Sequence, residues 1–168
     1  EKLVIDPSIW ITYFGGSGNE SLETHEMAVG ADGAVFLAVP TNSTDLQISG
    51  SFNGGQNDIA LAKISSDGRT LISGKYLGGN GSDRAEGVAV DGSNNLYFTG
   101  TTTSSNFPAT SNAHQKILSG GRDAISVKTS SDLTVSYASY LGGNVNSDYG
   151  RGVTFDSSGK LIMVGETS

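Results

Sequence analysis

Apolar and polar residues alternate along several short stretches of this chain, and each stretch ends near Gly, Asn, Asp or Ser. This pattern predicts β-strands that are joined as hairpins by tight turns. One hairpin joins residues 26–29 to residues 34–39, and the next joins residues 58–64 to residues 70–76. Together the two hairpins predict one unit of four antiparallel strands.

This unit then repeats along the chain. The residues Tyr-Leu-Gly-Gly start at Tyr76 and at Tyr140, and the variant Tyr-Phe-Gly-Gly starts at Tyr13; these tyrosines are 63 and 64 residues apart. A constant repeat length predicts units that bury their apolar faces against their neighbours. The further predicted strands lie at residues 87–90, 95–101, 123–128 and 134–140 in a second unit, at 152–155 and 161–165 in a third, and at 8–14 before the first, which makes eleven strands.

Four short antiparallel strands per repeat are typical of a β-propeller blade. We therefore predict an all-β fold, a β-propeller built of four-stranded antiparallel blades and present here as an incomplete arc of just under three blades. Its predicted parts are a linker from an upstream domain at residues 1–7 and the propeller repeats at 8–168, which comprise the closing strand of a preceding blade at 8–16, blades at 26–79 and 87–143, and the first half of a blade at 152–168.

The repeated residues also resemble a known family. Residues 76–139 contain YLGG, GVAVDxxxNLYFTGxTxSxxFP and GGxDA in this order, and the chain then returns to YLGG. This pattern resembles the bacterial SBBP beta-propeller repeat, and the resemblance extends over residues 8–168. The first repeat departs from the pattern at Glu26, where later repeats have Gly, and at Pro40, where the second has Thr. The resemblance implies a module of a large secreted or cell-surface bacterial protein without an assigned activity.

Composition narrows the classes of partner. The net charge is −7 and the pI is about 4.6, so the chain lacks the dense Lys and Arg needed to bind a nucleic-acid backbone. It contains no Cys, which excludes disulfides, thiolate metal sites and thiol catalysis. No stretch is long and apolar enough to predict insertion into a membrane. We expect no cofactor.

Polar residues follow two of the double glycines and are the candidate ligand-binding residues. Loops on one rim of a propeller point toward a shared face, so their oxygens could bind a cation or a glycan. The alternative is that these segments are solvated connectors between blades. The candidates are Asn80, Asp83, Glu86, Asn144, Asn146 and Asp148.

Three other groups of residues have simpler interpretations. Residues 91–95 resemble the start of a calcium loop, but Leu96 and Thr102 stand where such a loop has Gly and Glu, so a hairpin turn explains them better. We interpret His25 and His114 as loop residues, and we predict no metal site and no catalytic residue. The remaining group is aromatic and forms either a ligand platform or, as we prefer, core between blades; it comprises Trp10, Tyr13, Tyr76, Tyr137 and Tyr140.

These observations favour a non-catalytic structural or adhesive scaffold of an extracellular or cell-surface protein. Its expected partners are other blades of the same or neighbouring chains and a protein or glycan ligand. One alternative is a self-assembling subunit that closes a propeller or a filament between chains. Another is a propeller enzyme acting on glycans, with Asp83, Glu86 and Asp148 as the candidate carboxylates.

Overall fold

A computed structural model describes residues 12–20, 26–145 and 147–168. None of these residues forms a helix long and apolar enough to cross a membrane. They form ten β-strands: β1 Met27–Val29, β2 Val35–Thr41, β3 Asp58–Ile64, β4 Leu71–Leu77, β5 Asp83–Val90, β6 Leu96–Thr102, β7 Asp123–Thr129, β8 Val135–Leu141, β9 Tyr149–Phe155 and β10 Leu161–Glu166.

The strands form three separate antiparallel sheets. The first blade is β1-β2-β3-β4 and the second is β5-β6-β7-β8, each in chain order, while β9 and β10 form a two-stranded half-blade. This arrangement confirms the all-β fold of four-stranded antiparallel blades that do not close into a ring. We call the interface between the two blades the first junction and the interface between the second blade and the half-blade the second junction.

Five hairpin turns contain a residue with left-handed backbone geometry. Gly33, Gly68 and Gly159 supply it without steric cost, with φ angles of 76°, 68° and 78°. Asn94 and Leu133 adopt φ angles of 63° and 67° with side chains present. Aspartates at these turns accept neighbouring backbone N–H groups, and Asp91 accepts two, which is the arrangement expected of a hairpin turn.

Neighbouring sheets pack face to face around a shared apolar core. Strand β5 packs against β1, β2 and β3, and β9 packs in the same way against β5, β6 and β7. The buried core of the first junction joins Phe36, Leu61 and Leu77 to Phe98 and Ile125. An isolated sheet would expose both of its faces to water. Stacking against the neighbouring sheet therefore buries its apolar residues.

The first strands of the second blade and the half-blade begin earlier than the sequence predicted. Strand β5 starts at Asp83 and β9 at Tyr149, whereas the predicted strands start at residues 87 and 152. Each contains a β-bulge, and the extra residues are Glu86 and Arg151, which occupy equivalent positions. The bulges interrupt the alternation of apolar and polar residues, so the pattern did not predict the residues of each strand that precede its bulge.

A glycine stands opposite each bulge because the backbones approach closely there. A Cβ atom on Gly100 would lie within 3.0 Å of the Arg84 carbonyl oxygen, and one on Gly165 would lie equally close to the Tyr149 carbonyl oxygen. The close approach of two backbones therefore explains this repeated glycine.

The segment around Tyr13 differs from its counterparts. Residues 12–16 form no strand, and the Tyr13 side chain is 96% exposed. The rest of the predicted strand and the predicted linker at residues 1–7 lie outside the described residues. The assignment of residues 8–16 to a closing strand therefore stays a prediction.

Candidate functional site

The connector that leads from the first blade into the second is held by side chains of the loop after β6. The N–H groups of Asn80, Gly81 and Ser82 each donate to a side chain at 2.7–2.8 Å. The acceptors are Asn106, Ser104 and Thr103, respectively. These polar side chains satisfy backbone groups that have no strand partner, so their first role is structural.

The same arrangement occurs one repeat earlier. The N–H groups of Ser17, Gly18 and Asn19 donate to side chains at 2.7–2.8 Å. The acceptors are Asp45, Ser43 and Asn42, in the loop that follows β2. The connector geometry thus recurs at residues 17–19, ahead of the first blade.

Asp83 organises the connector of the first junction. It is fully buried, and its carboxylate accepts the Gly79 N–H at 2.8 Å, the Ser104 hydroxyl at 2.7 Å and the Thr102 hydroxyl. Burial raises the pKa of Asp83, and these donors oppose that effect because they stabilise the carboxylate. The structure therefore places this candidate residue inside the junction instead of on an open rim.

Glu20, which was not among the sequence-based candidates, has the corresponding position in the first repeat. Its carboxylate accepts the Gly16 N–H at 3.2 Å, the Thr41 hydroxyl at 2.8 Å and the Ser43 hydroxyl. An acidic residue four positions after the second glycine is the sequence signal that identifies it.

Asp148 has this position in the second junction. It is 5% exposed, and its carboxylate accepts the Gly143 N–H at 2.9 Å. Of the other candidates in this connector, Asn144 is exposed and Asn146 lies outside the described residues.

Asn80 has a partner at the surface of the first junction, and Glu86 has one across the second junction. Asn80 is exposed; its side chain accepts the Ser105 N–H at 3.1 Å and donates to the Ser105 hydroxyl at 3.1 Å. Glu86 forms an ion pair with Arg151 at 2.6 Å, which joins the two bulges across the second junction. Both groups link neighbouring parts of the arc.

A second carboxylate lies near Asp83 and near Asp148, and neither was among the sequence-based candidates. Asp58 and Asp123 begin β3 and β7 and are fully buried. A Cβ atom on Gly78 would lie within 3.0 Å of both Asp58 Oδ1 and Asp83 Oδ2. Carboxylates from adjacent blades therefore meet beside the first glycine of the Tyr-Leu-Gly-Gly motif.

The equivalent glycine of the second junction has the same surroundings. A Cβ atom on Gly142 would lie 2.6 Å from Asp123 Oδ1 and 2.7 Å from Asp148 Oδ2. The signal in the sequence is an Asp shortly after a double glycine, at Asp123 with one intervening residue and at Asp58 with two.

Burial controls the protonation of these carboxylates. It raises the pKa of Asp58 to about 6, with a further contribution from the negative charge of Asp83. Burial also raises the pKa of Asp123, which lies near the charge of Asp148. Each junction therefore contains a carboxylate whose affinity for protons is higher than that of an exposed aspartate.

Of the five aromatic residues predicted to form core, Tyr76 and Tyr140 are buried. The Tyr76 and Tyr140 hydroxyls donate to the carbonyl oxygens of Ser43 and Ser104 at 2.8 and 2.7 Å. Both rings are buried, so each anchors the loop between the second and third strands of a blade. The Tyr13 side chain is exposed, unlike its two counterparts.

A cleft lies between the second blade and the half-blade. It has a volume of about 390 Å³, and its walls include Leu141, Met163 and Val164. Asp148 and the exposed His114 line it, but neither Asp83 nor Glu86 does. The structure therefore does not bring the three carboxylates of the glycan-enzyme alternative into one cleft, and His25 and Trp10 lie outside the described residues.

The described residues contain no group of three or more His, Cys, Asp or Glu side chains that could hold a metal ion.

Comparison with protein families finds that residues 74–108 match the model of the SBBP beta-propeller repeat. The matched segment runs from the end of the first blade through the first junction to the loop after β6. No curated protein shows a significant match to this chain.

Proposed function

We propose, starting from the SBBP beta-propeller repeat that this chain contains, that the protein is a non-catalytic structural or adhesive scaffold. The observation that carries this proposal is the use of the connector side chains. Asp83 is fully buried among donors, and Asn80 and Glu86 have partners within the arc. Residues that hold neighbouring blades together suit a scaffold better than they suit reaction chemistry.

In this proposal the protein is secreted or displayed on a cell surface, and it binds a protein or a glycan through its loop faces. The exposed side chains of Asn80 and Asn144 support this part, because amide groups on propeller loops can bond to the hydroxyls of a sugar. The other partners are blades of the same or neighbouring chains.

A glycan array tests the ligand and the absence of catalysis together. We expect binding without cleavage on an array of immobilised polysaccharides, and we expect Asn144→Ala to weaken it. Ser158→Ala, in an exposed turn of the half-blade, is the matched control. Release of shortened glycans by the wild-type protein, with none released by Asp148→Asn, would contradict a non-catalytic role.

Assembly between chains is a second candidate function, and the second junction favours it. Leu77 is 4% exposed where the second blade covers it, whereas its counterpart Leu141 is 46% exposed. Among the described residues, β10 pairs with β9 on one edge and with no strand on the other. An uncovered strand edge beside an apolar cleft suits the addition of strands from another copy.

Light scattering over a range of protein concentrations tests this second candidate. We expect a mass larger than one chain that falls on dilution, and we expect Val164→Asp to yield single chains. Ile117→Asp is the matched control, since Ile117 is 72% exposed in a loop. A mass of one chain at every concentration would rule out assembly and leave the scaffold proposal standing.

A further inference from the structure

Each junction buries two carboxylates that come from different blades. Asp58 and Asp83 belong to the first junction and are fully buried, as is Asp123 in the second, where Asp148 is 5% exposed. The pairs occupy equivalent positions in successive repeats. Removing several ionised carboxylates from water is costly unless donors or opposite charges surround them.

The donors within each pair are unevenly distributed. Asp83 accepts three hydrogen bonds, as described above, whereas Asp58 accepts only the Asn53 N–H, through Oδ2 at 2.6 Å. Within the described chain, Asp58 Oδ1 has no hydrogen-bond partner. This oxygen and Asp83 Oδ2 lie on the same side of Gly78.

In the second junction the donors are shared differently, because Asp123 accepts two hydrogen bonds and Asp148 accepts one, from the Gly143 N–H, but one oxygen again has no partner. Asp123 Oδ2 accepts from Gln115 at 2.7 Å and from Ser119 at 2.9 Å, while the structure gives Asp123 Oδ1 no partner among the described residues. This unpartnered oxygen and Asp148 Oδ2 again lie beside a glycine, Gly142. Two independent copies thus place an unpartnered buried oxygen against a second carboxylate.

The charged and titratable neighbours do not neutralise these oxygens. Asp58 faces Asp83 across the junction and the Tyr76 hydroxyl on β4. Asp123 faces Asp148 across the junction and the Tyr140 hydroxyl on β8. Calcium and magnesium take six or more oxygen ligands, whereas a proton needs only an unpartnered oxygen such as the one beside the glycine of each pair.

We propose that the carboxylate pair of each junction takes up a proton as neighbouring blades pack together, so that the arc is most stable in mildly acidic solution. The proton is held on the unpartnered oxygen of Asp58 or Asp123. The junctions weaken as the solution becomes neutral and the proton is lost.

The sign of the pH dependence follows from the change in proton affinity. The pKa of Asp58 rises from 3.8 to about 6 on folding. This contribution to stability is complete below the unfolded value and is lost as the pH rises through about 6. Most acidic proteins that depend on ionised carboxylates respond in the opposite direction over this range.

Thermal unfolding at about pH 7.5 and about pH 5.5 tests the proposal. We expect the Tm of the wild-type protein to be roughly 2–5 °C higher at the lower pH. Asp58→Asn mimics the protonated acid, because its amide carries no charge at either pH. It should raise the Tm at about pH 7.5 and reduce the difference between the two pH values, and Asp58→Asn with Asp123→Asn should nearly abolish that difference.

Asp67→Asn is the matched control, because hydrogen bonds in an exposed turn lower the pKa of Asp67. It should leave the rise in Tm intact. A wild-type Tm that is unchanged or lower at about pH 5.5 would overturn the proposal. So would an Asp58 carboxyl carbon whose NMR shift titrates below about pH 4 in the folded protein, a measurement that does not depend on any variant folding.

Calcium addition at about pH 7.5 distinguishes a proton from a metal ion in the pair. We expect millimolar calcium chloride to leave the wild-type Tm unchanged. A rise in Tm that Asp58→Asn removes would contradict the proposal and would assign the unpartnered oxygens to a cation.

Discussion

The two junctions contain the same local elements but differ in what covers them. Both place a glycine between two carboxylates, and both hold a connector by N–H groups that donate to side chains. Leu77 is buried in the first junction, whereas Leu141 is half exposed in the second. The difference lies in the neighbouring sheet, which has four strands in the first case and two in the second.

This comparison separates local from non-local determinants of a blade. Connector hydrogen bonds depend on residues close to each other in one repeat and the next, so they form in both junctions. Burial of the outer apolar residues depends on the third and fourth strands of the following blade, so it is complete only in the first junction. Equivalent substitutions in the two junctions should therefore have unequal effects.

The largest inequality is expected from removal of the motif leucines. Leu77→Ala should lower the free energy of unfolding by about 2–4 kcal/mol, because it leaves a cavity in the core. Leu141→Ala should cost under about 1 kcal/mol, because that side chain is already partly in water. Urea denaturation of both variants measures the difference, and equal losses would show that Leu141 is covered in solution.

Alanine at the glycines between the carboxylates should have the next largest effect. Gly78→Ala should destabilise the protein by about 2–3 kcal/mol, because its methyl group would displace two buried carboxylates. Gly142→Ala should cost less, since the connector holding Asp148 has fewer bonds. Gly143→Ala is the control, because a Cβ there meets nothing within 4 Å. A control as unstable as Gly78→Ala would mean that backbone freedom, and not crowding, explains these glycines.

Loss of a hydroxyl donor should have an intermediate effect that is specific to the first junction. Ser104→Ala removes one bond to Asp83 and one to the Gly81 N–H, and should cost about 1–2 kcal/mol in thermal or urea unfolding. Ser105→Ala is the matched control, because Ser105 is exposed and bonds only to Asn80. A cost no greater than that of the control would show that Asp83 has other donors in solution.

The ion pair across the second junction should contribute least. Arg151→Gln should cost under about 1 kcal/mol, because the Arg151 side chain is 43% exposed and solvent screens its charge. The loss should shrink further in about 1 M sodium chloride when unfolding is repeated there. A cost that is independent of salt would point to stacking of the Arg151 guanidinium, whose Cζ lies 4.6 Å from the centre of the Tyr149 ring, as its main contribution.

The repeated units could be predicted from sequence because their signals are local. Alternation of apolar residues located ten strands within a few residues of their observed bounds, and turn residues marked the hairpins. Asp91 illustrates this: its bonds to Ser93 and Asn95 depend only on residues of the same turn. The family match at residues 74–108 rests on the same local features.

The paired carboxylates could not be predicted in this way. Asp58 and Asp83 lie on different blades, and their proximity depends on how two sheets stack. Alternation also cannot reveal a bulge such as that at Glu86, because the extra residue shifts the pattern. Tyr13 shows that a shared motif does not by itself predict burial. It occupies the same motif position as Tyr76 and Tyr140, but it is exposed because it lacks their neighbours.

The contact between β5 and β9 bears on how tightly the arc curves. A Cβ atom on Gly87 would lie 2.7 Å from the Gly152 Cα atom, so the two strands touch backbone to backbone. Sheets that touch at one edge and keep side chains between them elsewhere diverge like the sides of a wedge. The first blade carries the buried, larger Glu26 at the equivalent position. A side chain at this position takes up space that glycine leaves to the neighbouring backbone, so the residue here limits how closely the first strands of adjacent sheets can approach.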